Sequence, residues 1–181
     1  MNKESETAFQ KFNEGKYIDA LSCYLRVFSS NLDNPKASYN VALCYDVMQE
    51  HELALSYYKY TLKLDSQNIR SLNNIAKIYL EITKDTNSAI YFLNQAIRIN
   101  PKDAEAYNTF GKIYFELGDY QLSKLYLKKA IRLDKNYFQN YYDIAKVYIG
   151  LDDYKNAKKA LIKCLELKPD FSFAKELYSK L

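Results

Sequence analysis

The sequence is short of chain breakers: among 181 residues there are four Gly and three Pro. So few interruptions leave room for one helix after another. Tryptophan is absent and histidine occurs once, at His51, with no ligand or carboxylate partner at helical spacing. A histidine-based metal site or general acid–base centre is therefore not expected. The cysteines, Cys23, Cys44 and Cys164, are odd in number and scattered. They fit neither a disulfide framework nor a zinc-binding spacing, so a reducing, cytoplasmic setting is the expectation. No apolar run reaches the ~18 residues of a membrane span. The first fifteen residues, MNKESETAFQKFNEG, hold acids and no apolar block, which argues against a signal peptide. A Gly-rich phosphate loop and a nucleophile elbow are also missing. The expectation is a non-catalytic chain with no cofactor and no metal.

What the sequence has is aromatic surface. Nineteen Tyr and nine Phe stand in a chain that is 48% hydrophobic, enough to bury large side chains between helices. Charge is uneven. Residues 1–68 carry seven Lys/Arg against nine Asp/Glu, and 69–181 carry nineteen against thirteen. The basic C-terminal part suits an acidic partner.

The organising feature is a repeat. The stretch 104–137 places Tyr107, Phe110-Gly111, Tyr114, Gly118-Asp119-Tyr120, Leu127, Ala130 and Leu133-Asp134 in an order that returns 34 residues later. There it reads Tyr141, Ile144-Ala145, Tyr148, Asp152-Asp153-Tyr154, Leu161, Cys164 and Leu167. Three ladders carry the register through the chain. They are Ala8, Ala42, Ala76, Gly111, Ala145; Ala20, Ala54, Ala89, Ser123, Ala157; and Tyr45, Tyr79, Tyr114, Tyr148. Each step is 34 residues except that from the third repeat to the fourth, which is 35. Five repeats result, 1–34, 35–68, 69–103, 104–137 and 138–171, followed by a tail, 172–181. Together they form a single domain, 1–181.

Within each repeat, apolar residues recur at steps of three and four, the amphipathic-helix pattern. Two helices are broken by a turn such as Glu14-Gly15-Lys16, Leu117-Gly118-Asp119 or Leu151-Asp152-Asp153. Repeats are separated at Asn34-Pro35, Asn100-Pro101 and Lys168-Pro169, since Pro cannot continue a helix interior. The expected helices are 3–14, 17–31, 35–48, 51–64, 69–82, 86–99, 104–117, 120–133, 138–150, 154–167 and 171–180. Small residues at paired ladder positions let two helices approach closely, and the large Tyr, Leu and Ile positions fill the gaps between pairs. The extra residue of the third repeat is expected in the turn Thr83-Lys84-Asp85-Thr86-Asn87. Cys44 and Cys164 fall in the packing pattern as small buried hydrophobes, and the Tyr45, Tyr79, Tyr114, Tyr148 ladder is expected inside. In the tail, Phe171, Phe173, Ala174, Leu177, Tyr178 and Leu181 make a short apolar helix. One face covers the fifth repeat, and the rest suits either self-association or a chain cut from something longer.

This pattern resembles the tetratricopeptide repeat family over residues 1–171. Tyr107 and Tyr141 stand where the family usually has Trp. The resemblance implies an all-α solenoid of five helix-turn-helix repeats with a C-terminal capping helix. It also implies a concave groove, lined by the first helix of each pair, that receives a peptide or protein segment. The groove-facing places hold Lys36, Tyr39, Asn40, Leu43 and Asp46; Arg70, Asn73, Asn74, Lys77 and Glu81; Glu105, Asn108, Thr109, Lys112 and Glu116; and Gln139, Tyr142, Asp143 and Lys146. From these, Tyr39, Asn40, Asn73, Asn74, Lys77, Asn108, Lys112, Tyr142 and Lys146 are the candidate peptide-binding residues.

An amide can hold a peptide backbone through both its donor and its acceptor, and an ammonium column attracts carboxylates. The alternative is a solvated face, in which Lys77–Glu81 and Lys112–Glu116 pair with each other four residues apart. The carboxylate clamp of chaperone-binding members is not reproduced, because Ser5 and Phe9 stand opposite Asn40. The asparagine column of glycosyltransferase-linked members is matched only at Asn40 and Asn74. Two other roles stay open: a targeting module of a larger enzyme or assembly, and nucleic-acid contact through Lys124, Lys128, Arg132 and Lys158-Lys159. Acids interrupt that basic surface and no stacking platform accompanies it, so nucleic acid is not the expected partner.

Overall fold

The computed structural model describes residues 3–181. Among these residues there are eleven α-helices and no strand. The first six are α1 Lys3–Asn13, α2 Tyr17–Ser30, α3 Pro35–Val47, α4 His51–Leu64, α5 Ile69–Ile78 and α6 Thr86–Ile99. They are followed by α7 Ala104–Glu116, α8 Tyr120–Leu133, α9 Phe138–Gly150, α10 Tyr154–Leu167 and α11 Ser172–Ser179. A π-helical turn, Tyr79–Thr83, continues α5. The chain forms two compact units, one ending at Gln95 and the other running Ala96–Leu181.

Local chemistry sets the helix ends. Asn34 accepts from the backbone N–H groups of Lys36 and Ala37, at 3.1 and 3.2 Å, with Pro35 at the first helical position. Asn68, Asp85, Asp103, Asp119 and Asp153 cap later helices in the same way. Each capping oxygen satisfies a backbone donor that the first helical turn leaves without a partner.

The turn inside every repeat is closed by one residue in the left-handed region: Gly15, Gln49, Lys84, Gly118 and Asp152. Only two are glycines, so three side chains accept a conformation that costs a residue with a Cβ about 1 kcal/mol or more. In the second and fifth repeats, the carbonyl of Tyr45 or Tyr148 accepts from the N–H five residues on, Glu50 at 2.9 Å and Asp153 at 2.8 Å. In the third repeat the acceptor Tyr79 reaches Asp85, six residues on, at 2.9 Å. The extra residue therefore widens the last helical turn into π geometry instead of lengthening the loop that follows. Single π turns of this kind commonly occur as bulges inside α-helices.

In the first unit, Ala8, Ala20, Cys23, Tyr24, Val41 and Cys44 form one core cluster, and Ala42, Ala54, Tyr58, Ile75 and Ile78 another. In the second, Leu127, Ile144, Ala145, Val147, Ala160, Leu161, Cys164 and Ala174 pack together. Both small-residue ladders are buried throughout. They meet at Gly111, whose carbonyl accepts from Ser123 Oγ at 2.7 Å. A Cβ on Gly111 would lie 2.5 Å from Leu127 Cγ, so glycine is what allows α7 and α8 to cross here.

The tyrosine ladder is half-buried, not interior. Three of its members stack on an aromatic residue of the second helix of the same repeat. The pairs are Tyr45 on Tyr57 at 5.6 Å, Tyr79 on Phe92 at 5.8 Å and Tyr114 on Tyr126 at 5.3 Å.

The terminal helix α11 buries Ala174 and packs Phe171, Leu177 and Leu181 against the second unit's core. Leu177 and Leu181 are partly buried by this packing. Phe173, 62% exposed, and Tyr178 are the apolar side chains that α11 leaves outward.

Candidate binding site

Each unit gathers its polar first-helix residues around a buried acceptor or hydroxyl. In the first unit the hub is Tyr58 on α4. Its ring is fully buried and lies 5.7 Å from that of Tyr39. Its hydroxyl donates to Asp46 Oδ2 at 3.3 Å and accepts from Asn74 Nδ2 at 3.0 Å. Asn74 also reaches the Tyr39 hydroxyl at 3.4 Å. Burial, and then the Asp46 carboxylate, push the Tyr58 phenol far above its usual range, so it stays protonated and donates. The other Asp46 oxygen, Oδ1, lies 3.4 Å from His51 Nδ1. His51 therefore does have a carboxylate neighbour. The pair crosses the α3–α4 turn, a proximity that spacing along one helix does not reveal.

In the second unit the hub is Asp143 on α9, which is 2% exposed. Asn108 Nδ2 on α7 donates to Asp143 Oδ2 at 3.0 Å and to Asn140 Oδ1 at 2.9 Å. Gln139 Nε2 donates to Asp143 Oδ1 at 3.3 Å, and Lys146 Nζ stands 3.5 Å from the same oxygen. Lys146 also faces the rings of Phe115 and Tyr142, at 5.1 and 5.3 Å. Tyr142 in turn meets Phe171 edge-on at 5.1 Å. The anion is held by three polar side chains, as a buried carboxylate requires.

The candidate residues thus divide by burial. Asn73 and Asn108 are buried, at 1% and 5% exposure. Tyr39, Asn40, Asn74, Lys77, Lys112, Tyr142 and Lys146 are half-buried. The structure joins Tyr39 to Asn74 in one network, and Asn108 to Lys146, through Asp143, in another. Asn108 turns its amide inward, where it joins α7 to α9.

Asn40 lines a large recess. This hollow in the first unit, about 630 Å³, lies among α1, α2, α3 and the start of α5. Its apolar floor includes Phe9, Tyr24, Val27 and Ala37, and its polar rim Ser5, Asn31, Asn34, Asn40, Lys36 and Arg70. Among the described residues its lining carries two cations and no carboxylate. Phe9 stands opposite Asn40 in the repeat register, whereas Tyr24 lies on the second helix and carries no such signal in the sequence. Phe9 is 55% exposed, unlike its neighbour Ala8, which is fully buried.

Comparison with known proteins agrees with the repeat geometry. Tetratricopeptide repeat descriptions match residues 104–137 and 138–171, a TPR repeat matches 84–118, and a further tetratricopeptide repeat matches 11–69. The photosystem I assembly protein Ycf3 of Synechococcus elongatus is 29% identical over 125 residues, covering 56% of this chain and 72% of that protein. The BBSome complex member BBS4 of Bos taurus is 25% identical over 116 residues, covering 64% of this chain. This chain spans only 22% of the bovine protein's length. Among solved structures, a thermophilic TPR protein of Thermus thermophilus superposes with a TM-score of 0.81 at 20% identity, covering 98% of this chain and 96% of that one. Repeat spacing, paired helices, family matches and fold agree: the chain belongs to the tetratricopeptide repeat family.

Proposed function

We propose that this chain is a non-catalytic interaction scaffold that holds an acidic peptide or protein segment against the first helices of its repeats. Its family mediates protein–protein interaction. The observation that carries the finer reading is the recess around Asn40. Lys36 and Arg70 on its rim attract carboxylates, Asn40 offers an amide to a peptide backbone, and Phe9, Tyr24 and Val27 form a floor for an apolar side chain. Tyr39 and Asn74 extend the polar surface beside it. In the first unit Asn73 supports this wall from within and Lys77 adds to its polar face. In the second unit Asn108, Lys112, Tyr142 and Lys146 form a polar and aromatic face of their own. A cytoplasmic setting agrees with three buried, unpaired cysteines.

A second reading is a targeting or substrate-binding module of a larger assembly. It is favoured by the bovine relative, of which this chain spans about a fifth.

The test is calorimetric titration of an acidic peptide that carries leucine and no aromatic residue. Wild type should bind it, and Arg70→Glu should weaken it by about tenfold or more. Undiminished binding by a folded Arg70→Glu variant would remove the recess from the account.

A further inference from the structure

The second unit contains a ring-shaped slot. In the fourth repeat, Tyr126 of α8 stacks against Tyr107, Phe110 and Tyr114, with ring centroids 6.3, 5.1 and 5.3 Å away. One repeat later, 34 residues on, these positions hold Tyr141, Ile144 and Tyr148. The position of Tyr126 itself is taken by Ala160. The cradle persists without its ring. Tyr141, Ile144, Tyr148 and Ala160, with Ile131 of α8, line a cavity of about 290 Å³. Its first wall is fixed as in the filled repeat. The Tyr141 hydroxyl donates to the Lys135 carbonyl at 3.0 Å, as Tyr107 donates to Pro101 at 3.2 Å. Among the described residues, no ring stacks on Tyr148, whereas Tyr45, Tyr79 and Tyr114 each have one.

The mouth is cationic. Lys128 comes from α8, and Lys159 and Lys163 from α10, so ammonium groups stand on both sides. Lys163 is paired with Glu166 at 2.8 Å. In the filled repeat the counterpart of Lys163 is Lys129, which lies 3.9 Å from the centre of the Tyr107 ring.

We infer that this slot is a docking site for one aromatic side chain of a partner protein, carried in a segment with carboxylates on both sides of the ring. The ring is specified by a cradle that holds Tyr126 one repeat earlier. The flanking carboxylates are specified by lysines on two helices, a complementarity that also speeds encounter. A buried aromatic anchor in a preformed slot is the kind of contact that dominates an interface. This site is separate from the recess proposed around Asn40.

The test uses a short synthetic peptide of Asp, Glu and Ser with one central Phe, and its counterpart with Ala in place of Phe. Titrated by fluorescence anisotropy, the Phe peptide should bind wild type about tenfold or more tightly than the Ala peptide. Ala160→Tyr restores the missing stack from within. It should abolish that preference without lowering the melting temperature. Lys128→Glu with Lys159→Glu should weaken the Phe peptide and flatten its salt dependence. Amide NMR on wild type is independent of any variant's folding, and the Phe peptide should shift Ile144, Tyr148 and Ala160. Equal affinity for the two peptides, or shifts confined to the neighbourhood of Lys36, Asn40 and Arg70, would overturn the assignment. So would a concentration-dependent dimer abolished by Ala160→Tyr, since the occupant would then be a second copy.

Discussion

Asn108 on α7 and Asp143 on α9 share a hydrogen bond of 3.0 Å, and both side chains are almost wholly withdrawn from water. That bond joins the first helices of consecutive repeats in the second unit, and it makes the amide a structural element. Asn108→Ala should leave Asp143 and Asn140 short of a donor and cost about 1–3 kcal/mol of stability. Thermal denaturation measures this, with Gln139→Ala, on the half-buried flank of the same carboxylate, expected to cost less.

The helix boundaries and both small-residue ladders were legible in the sequence because periodicity and capping chemistry are local. The side to which Asn108 turns was not. Asn73 and Asn108 occupy the same place in their repeats as Tyr39 and Tyr142, yet the amides are buried and the rings half-buried. A helical period identifies a face. It does not separate the part facing a groove from the part facing the next helix, where a short amide fits and a phenol projects. The Asp46–His51 proximity was hidden for a related reason, since it depends on how a turn folds back. The recess around Asn40 was legible only in part: Lys36, Asn40, Arg70 and, by register, Phe9 lay on the expected face, whereas Tyr24 and Val27 of α2 join them only through packing.

Gly111 tests the helix crossing. Gly111→Ala should cost about 1–3 kcal/mol, because the new methyl would meet Leu127, itself fully buried and unable to withdraw. Chemical denaturation should show a lower midpoint with an unchanged slope.

The left-handed turn residues give a prediction of opposite sign. Gln49→Gly and Lys84→Gly should be neutral or stabilising by up to about 1 kcal/mol, since glycine enters that conformation freely. Gln49→Val should be destabilising. Melting temperatures of the three variants decide it.

Cys44 links stability to pH. Burial pushes its thiol up from 9.0 to about 12, and Cys164 is pushed up to about 11, again chiefly by burial. A folded-state value above the unfolded one means that the neutral thiol is favoured by folding. This contribution is complete below pH 9 and is lost as pH rises from about 9 towards 12. Replacing Cys44 by Ala should flatten the fall in stability across that window. Alkylation of both thiols at about pH 8, just below the ordinary thiol range, should be slow in the folded protein and accelerate with denaturant.

The central claim is that the recess around Asn40 receives an acidic segment, and titration calorimetry of the acidic, aromatic-free peptide tests it most directly. Arg70→Glu should weaken binding by about tenfold or more, and Asn40→Ala by about fivefold, the loss of one hydrogen bond. Both should leave the melting temperature close to wild type, because Arg70 is exposed and Asn40 half-buried. The control is Lys63→Glu, the same change of charge at an exposed position on α4 outside the recess, and it should leave the affinity nearly unchanged. If Lys63→Glu weakens binding as much as Arg70→Glu does, or if Arg70→Glu binds like wild type, the recess is not where the segment is held.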